Sequence, residues 1–367
     1  MNEEIKDIAA RANSGDPVAF VKLGEYYLEN ADERTYREYY EKAIDCFRKS
    51  ASLGNTGGLY NLGICYENGI GTKQDFNKAL TYFLEAANSL PEDDPNIQRK
   101  IADCYANKED FKLAIEWYSK AAAYNDNNAI NALGYIYLNG CGIKKDIDKA
   151  IEYLSKTAEK EDPYSINLLG TIYSDEKSDY FDARKALSYY EKASELEYPD
   201  AMLNASEAYL EGNGCEVNIE KGIRYLLDVI DIWGEGSDVS PYPTEWQMAA
   251  HERLYKLVEA GNYLAVLKAL AANGNRVAQY YIYTFSSNSL SLNYSDQNNR
   301  AAQKENRSWL IQSADNGFPN AQYELGQYYA TGLGGCEKDM QKAVQYLSAA
   351  ADQGHSGAIY YLQSVSR

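Results

Sequence analysis

Apolar residues recur along the chain at helical spacing. Gly58, Leu62, Cys65 and Tyr66 lie three or four positions apart, as do Ala129, Leu133, Ile136 and Tyr137, so each set marks one face of an amphipathic helix. A second kind of segment, Lys149 to Ala158, puts Ala150, Ile151, Leu154 and Ala158 on one stripe and Glu152 and Lys156 on the opposite one. We term the first kind helix A and the second helix B.

Both kinds repeat. A small residue, usually behind a lysine, recurs in helix B at Ala43, Ala79, Ala114, Ala150, Ala186 and Gly222, with successive gaps of 36, 35, 36, 36 and 36. Leu-Gly-x-x-Tyr or a relaxed form recurs in helix A from Leu23, Leu62, Ile101, Leu133, Leu169, Ala205 and Leu325. Glycine inside a helix costs about 1 kcal/mol relative to alanine, so its return at Gly24, Gly63, Gly134, Gly170 and Gly326 predicts two backbones in contact. Between A and B, Gly69, Gly140, Gly212 and Gly332 suit left-handed C-caps. Asp75, Asp146, Asn218 and Asp339 suit N-caps for the following helix B. Helix A starts of the form Gly-x-x-x-small occur at Gly15, Gly54, Gly261, Gly274, Gly317 and Gly354. Gly261 and Gly274 are only 13 residues apart, so one repeat there has decayed.

The segments Ala321 to Tyr329, Thr331 to Gly334, Asp339 to Ala343 and Ala349 to Gly354 together resemble one Sel-one-like (Sel1) repeat, of the tetratricopeptide superfamily. The resemblance runs from about Gly15 to Leu362 and is strongest up to Asp228 and from Gly317. It implies an all-α, right-handed α-solenoid of antiparallel helix pairs, about 36 residues per repeat, in which each repeat touches only its neighbours. Three stretches are expected: repeats with a half-repeat cap over 1–230, an irregular portion over 231–300, and a repeat with a helical cap over 301–367. Asp231 to Thr244, with glycine and two prolines, and the polar Ser286 to Asn299 read as loop insertions. Ile5 to Ser14 reads as a lone helix B, and His355 to Gln363 as a lone helix A.

Composition narrows the partners. With 54 acidic and 36 basic residues the formal charge is -18, which repels nucleic-acid phosphates and anionic lipid. A neutral or basic protein or peptide is the expected partner; self-association stays open. No apolar run is of membrane-spanning length and no signal-like leader precedes Arg11, so a cytoplasmic protein is expected. Cys46, Cys65, Cys104, Cys141, Cys215 and Cys336 stand singly, without the pairing of a zinc or redox motif; Cys65 and Cys104 read as small core residues.

No catalytic or cofactor constellation emerges, and neither an enzymatic activity nor a cofactor or metal is expected. His251 and His355 lack metal-ligand or dyad spacing and read as surface residues. The glycine pairs lack the Gly-Lys-Ser/Thr ending of a phosphate loop. The 35 tyrosines are the compositional excess. Tyr27, Tyr66, Tyr105, Tyr137, Tyr173 and Tyr209 share the leucine face and read as core or inter-repeat packing.

The resemblance implies an adaptor whose A helices line a concave groove. Carried over position by position, the outward offsets around each motif leucine are Glu25, Tyr60, Arg99, Asp103, Asn131, Tyr135, Asn167, Glu207, Tyr323 and Gln327. Such a mixture of aromatic and hydrogen-bonding side chains suits a protein interface. The alternatives are a regulatory subunit acting on an enzyme in trans and a hydrolase centred on the irregular middle.

Overall fold

A computed structural model describes residues 3–31, 35–232, 244–260, 263–289 and 297–365. Among these residues there are twenty α-helices and no strand. The chain divides into two compact units, Met1–Leu169 and Gly170–Arg367. The first holds α1 (Glu3–Asn13), α2 (Pro17–Glu29), α3 (Tyr36–Ser52), α4 (Thr56–Asn68), α5 (Phe76–Asn88), α6 (Pro95–Asn107), α7 (Phe111–Ala123), α8 (Asn127–Asn139) and α9 (Ile147–Ala158). Helix α10 (Pro163–Ser174) contains the boundary. The second unit continues with α11 (Ala183–Glu195), α12 (Pro199–Glu211), α13 (Ile219–Asp231), α14 (Glu245–Glu259) and α15 (Leu264–Ala272). It ends with α16 (Arg276–Ser289), α17 (Gln297–Asp315), α18 (Pro319–Thr331), α19 (Met340–Asp352) and α20 (Ser356–Val365). Even-numbered helices from α2 to α12 are A helices and odd-numbered ones from α3 to α13 are B helices; α18 and α19 form a further A–B pair.

The start and stop signals act as the sequence indicates. Gly69, Gly140, Gly212 and Gly332 are left-handed C-caps, with φ of 71°, 69°, 81° and 77°. Asp75, Asp146, Asn218 and Asp339 cap the next helix through their side chains. Asp110 and Asp182 do the same in two repeats that have no Gly-x-Gly turn. The backbone N–H of each of these N-caps also donates to the carbonyl of the motif tyrosine, as from Asp75 to Tyr66 at 2.8 Å and from Asn218 to Tyr209 at 2.8 Å. One residue thus starts helix B and ties it to helix A.

The motif leucines and the small residues of helix B form the core. Leu62, Ile101, Leu133 and Leu325 are buried, as are Ala43, Ala79, Ala114 and Ala150. The helical glycines meet side chains rather than the expected backbone. A Cβ on Gly24 would lie 2.4 Å from Phe47, on Gly63 2.4 Å from Phe83, on Gly134 2.6 Å from Leu154 and on Gly170 2.6 Å from Tyr190. Each glycine is therefore a socket for one large residue of its own helix B. Backbone contact falls at Gly58, whose Cβ would lie 2.6 Å from the Ala51 nitrogen. The α12–α13 pair inverts the arrangement. There the socket is Gly222 on helix B, where a Cβ would lie 2.7 Å from Leu210, and Ser206 on helix A donates to the Gly222 carbonyl at 2.9 Å.

Four motif tyrosines stack on a ring of their own repeat's helix B, and Tyr209 also donates to Glu191 of the preceding helix B at 2.6 Å. Tyr66 stacks on Tyr82, Tyr137 on Tyr153, Tyr173 on Tyr189 and Tyr209 on Tyr225, with ring centroids 5.6–6.1 Å apart. In these four repeats the lysine before the small packing residue sits over the motif ring: Lys78 at 5.0 Å, Lys149 at 4.9 Å, Lys185 at 3.9 Å and Lys221 at 4.3 Å. Helix B is thereby held to helix A by a cation–π contact as well as a ring stack.

Most turns into a following helix A have a left-handed position, the α5–α6 turn being an exception. Gly15, Gly54, Gly274, Gly317 and Gly354 fill it in five places, whereas Asn125, Glu161 and Glu197 fill it at φ of 61°, 60° and 57°. Asparagine tolerates that region; glutamate is strained there. Glu161→Gly is expected to raise stability by about 1 kcal/mol, read as a higher thermal midpoint, and Gly54→Ala to lower it by a similar amount.

The middle of the chain differs from expectation in part. α16 runs through Ser289 and α17 begins at Gln297, so the ends of the predicted Ser286–Asn299 insertion are helical. Thr244, at the end of the other predicted insertion, opens α14 with a capping box to Gln247. Asp231, at the start of that insertion, ends α13, whereas 233–243, 290–296 and the Gly261 helix start lie outside the described residues. The lone helices expected near each end are α1 and α20.

Candidate functional site

The outward face of helix A, built from the residues two before and two after each motif leucine, divides into buried, half-buried and exposed positions. Asn131 and Asn167, expected to face outward, are buried, with Asn131 only 8% exposed. Asn131 lies between α9 and the start of α10. Its amide donates to Asp162 Oδ2 at 3.0 Å, and its oxygen accepts from Thr157 and from Ser165, each at 2.7 Å. It is a structural amide joining one repeat to the next.

Tyr60 is half-buried, with its ring 5.7 Å from that of Phe83. Arg99 and Asp103 meet each other at 3.2 Å in a half-buried network, in which Arg99 also reaches Asp126 at 3.4 Å. Lys100 pairs with Glu67 at 2.8 Å, and the Tyr118 hydroxyl donates to Asp103 at 2.7 Å. Burial, and then the Asp103 charge, push the Tyr118 phenol far above its ordinary range. These charges pair with one another across α4, α6, α7 and α8, although the Arg99 Nε makes no hydrogen bond, so they are engaged rather than free contact groups. Tyr323 and Gln327 are joined by a 2.7 Å bond, and Tyr323 stacks on His355 with ring centroids 4.4 Å apart.

Three of the predicted positions are exposed. Glu25 accepts from Asn61 at 3.3 Å, Glu207 pairs with Arg253 at 3.3 Å, and Tyr135 is 46% exposed between buried Leu133 and Ile136. Tyr135 and Glu25 belong to the first unit and Glu207 to the second.

Both histidines are half-buried rather than on the open surface. His251 lies against the Tyr281 ring at 5.4 Å, and His355 Nδ1 accepts from the Ala358 N–H at 3.2 Å, starting α20. Burial lowers both imidazole pKa values from the ordinary 6.5. A lowered folded-state pKa means that the unfolded chain takes up protons first, so stability is lost as pH falls below 6.5. The thermal midpoint is expected to fall between pH 7 and pH 5, and His251→Gln to flatten that slope; an unchanged slope would remove His251 as a cause.

Sequence reasoning missed two features of the second unit. Glu324 accepts hydrogen bonds from three phenols, Tyr280 at 3.2 Å, Tyr328 at 2.9 Å and Tyr283, binding α16 to α18. The tyrosine excess was its only sequence trace. The second feature is a cavity of about 200 Å³ between α10, α11 and α12. It adjoins Asp175 to Phe181, where the usual Gly-x-Gly turn is absent. The turn is held by side chains, with the Lys177 N–H donating to Asp175 at 3.0 Å and the Tyr180 N–H to Ser178 at 3.2 Å. The missing glycines were its legible signal.

Among the described residues no cluster of His, Cys, Asp and Glu is arranged to hold a metal ion, and no helix is long and apolar enough to cross a membrane. Cys65 and Cys104 are buried, which pushes their thiols up to about 11 and about 12.

Known proteins resemble the chain through its repeats. The Sel1 repeat profile matches residues 21–55, 57–89, 106–125, 127–162, 163–198, 199–227 and 319–355, together more than half of the chain. A segment is 30% identical over 110 residues to Activator of C kinase protein 1 of Saccharomyces cerevisiae, covering 26% of this chain and 18% of the yeast protein. The match thus spans less than a fifth of that relative. A protective antigen of uropathogenic Escherichia coli strains displaying an SLR fold superposes with a TM-score of 0.53 at 23% identity, covering 97% of this chain and 81% of that one. A Sel1 repeat protein from Oxalobacter formigenes gives a TM-score of 0.47 at 25% identity, covering 60% and 96%.

Proposed function

Because the chain belongs to the Sel1 repeat family, we propose that it is a protein-interaction scaffold, not an enzyme, that holds a protein or peptide element on exposed side chains of its A helices. The observation that carries this reading is Tyr135, a ring left 46% exposed on a helix whose neighbouring apolar residues are buried. Aromatic anchors of this kind dominate protein interfaces. Glu25 adds an exposed carboxylate to the same face type in the first unit. With a formal charge of -18, a neutral or basic partner fits best, in the cytoplasm, and its association rate falls as salt rises.

The likeness to an activator of C kinase supports a second reading, in which the bound partner is an enzyme regulated in trans. The two differ in whether the partner's activity changes on binding. Tyr135→Ala with Glu25→Ala tests the site: loss of a partner captured by the wild type, at unchanged thermal midpoint, supports it, and undiminished capture overturns it.

A further inference from the structure

We infer that the cavity between α10, α11 and α12 is a receptor for one cationic side chain, lysine or arginine, of the partner's bound segment. The inference rests on the scaffold reading and adds a specificity pocket to it.

Size and lining carry the assignment. At about 200 Å³ the cavity falls below the usual range for drug-sized ligands and matches a single long side chain. Its inner wall is apolar and buried, formed by Ala186, Leu187 and Ala208. Its mouth holds the exposed carboxylates Glu176 and Glu207 and the amide of Asn213. No lysine or arginine lines it. An aliphatic stem ending in a positive head matches that gradient: the methylenes cover the apolar wall while the head remains at the solvated carboxylates. A neutral apolar side chain would bring no counter-charge to Glu176 and Glu207, and an acidic one would be repelled by them.

Two nearby cations, Lys185 and Arg253, already have partners of their own. Lys185, beside the lining residues of α11, sits over the Tyr173 ring at 3.9 Å. Arg253 reaches Glu207 from α14 at 3.3 Å and also donates to the Leu203 carbonyl at 3.0 Å, so it holds one of the two carboxylates without lining the cavity. Arg253 is thus an internal competitor for the incoming head group. Glu176 has the corresponding place in the turn that Gly140 and Gly212 hold in other repeats, so the second carboxylate is a feature of this repeat alone among those three.

The test uses the full chain, isotope-labelled for NMR, titrated separately with N-acetyl-arginine methylamide, N-acetyl-lysine methylamide and the uncharged N-acetyl-norleucine methylamide. The expected result is saturable movement of the Asn204 and Asn213 side-chain amide signals with either cation at roughly millimolar affinity, and none with norleucine. Glu176→Gln with Glu207→Gln should weaken binding about tenfold, whereas Arg253→Gln, by freeing Glu207, should tighten it about threefold. Equal movement with norleucine, no movement with either cation, or unchanged affinity in the double variant overturns the inference. None of these outcomes touches the scaffold reading, which is tested at Tyr135 in the first unit.

Discussion

Gly63→Ala is expected to destabilise the protein by about 1–3 kcal/mol, and Phe83→Ala by about 3–5 kcal/mol. The new Cβ would stand 2.4 Å from Phe83 Cε1, closer than real Cβ contacts, and the ring is fully buried in the cluster that holds Leu59, Leu80 and Ile101. Removing the ring leaves a cavity that its neighbours fill only in part. The double variant should lose less than the sum, because the alanine methyl then occupies space that the ring has vacated. Denaturant unfolding of the four proteins measures the coupling. Strict additivity would mean that the glycine is not the socket for Phe83.

Asn131→Ala ranks next, at about 2–3 kcal/mol, because it leaves Thr157, Ser165 and Asp162 each short of a partner inside a buried network. Asn131→Asp should be no milder, since it sets a second carboxylate against Asp162 in place of the donated hydrogen bond. Loss of binding in such a variant would report unfolding rather than contact, which makes Asn131 unsuitable as a probe of the helix A face. A thermal midpoint within about 1 °C of wild type for Asn131→Ala would contradict the network.

The contrast between Asn131 and Tyr135 indicates how far sequence reading reaches. Both lie two positions from Leu133, on the side of α8 away from the leucine, and period alone gives them one environment. In a repeat array, however, a helix A meets its own helix B and also the next repeat. The end of α9 and the start of α10 close over Asn131 and leave Tyr135 open. That distinction depends on what the next repeat places opposite, which no within-repeat period contains.

The repeat unit itself was legible because its signals are local. Gly140 in the left-handed region, Asp146 capping α9 and buried Ala150 each follow from a residue's own backbone and hydrogen-bonding needs. The helical glycines were half-legible: their recurrence pointed to close packing, but only the structure identifies Phe83 or Leu154 as the group that fills the socket. The lysine that usually precedes the small residue was visible as a pattern; its place over the motif tyrosine required knowing that helix B brings a second ring to that tyrosine.

The most direct test of the scaffold account is site-specific photocross-linking in the source cells, with benzoylphenylalanine at position 135 on the exposed face of α8 and, separately, at position 152 on the exposed face of α9. The account predicts a discrete adduct with another polypeptide from position 135 that is absent from position 152. Adducts of equal yield from both positions, or from position 152 alone, would contradict it.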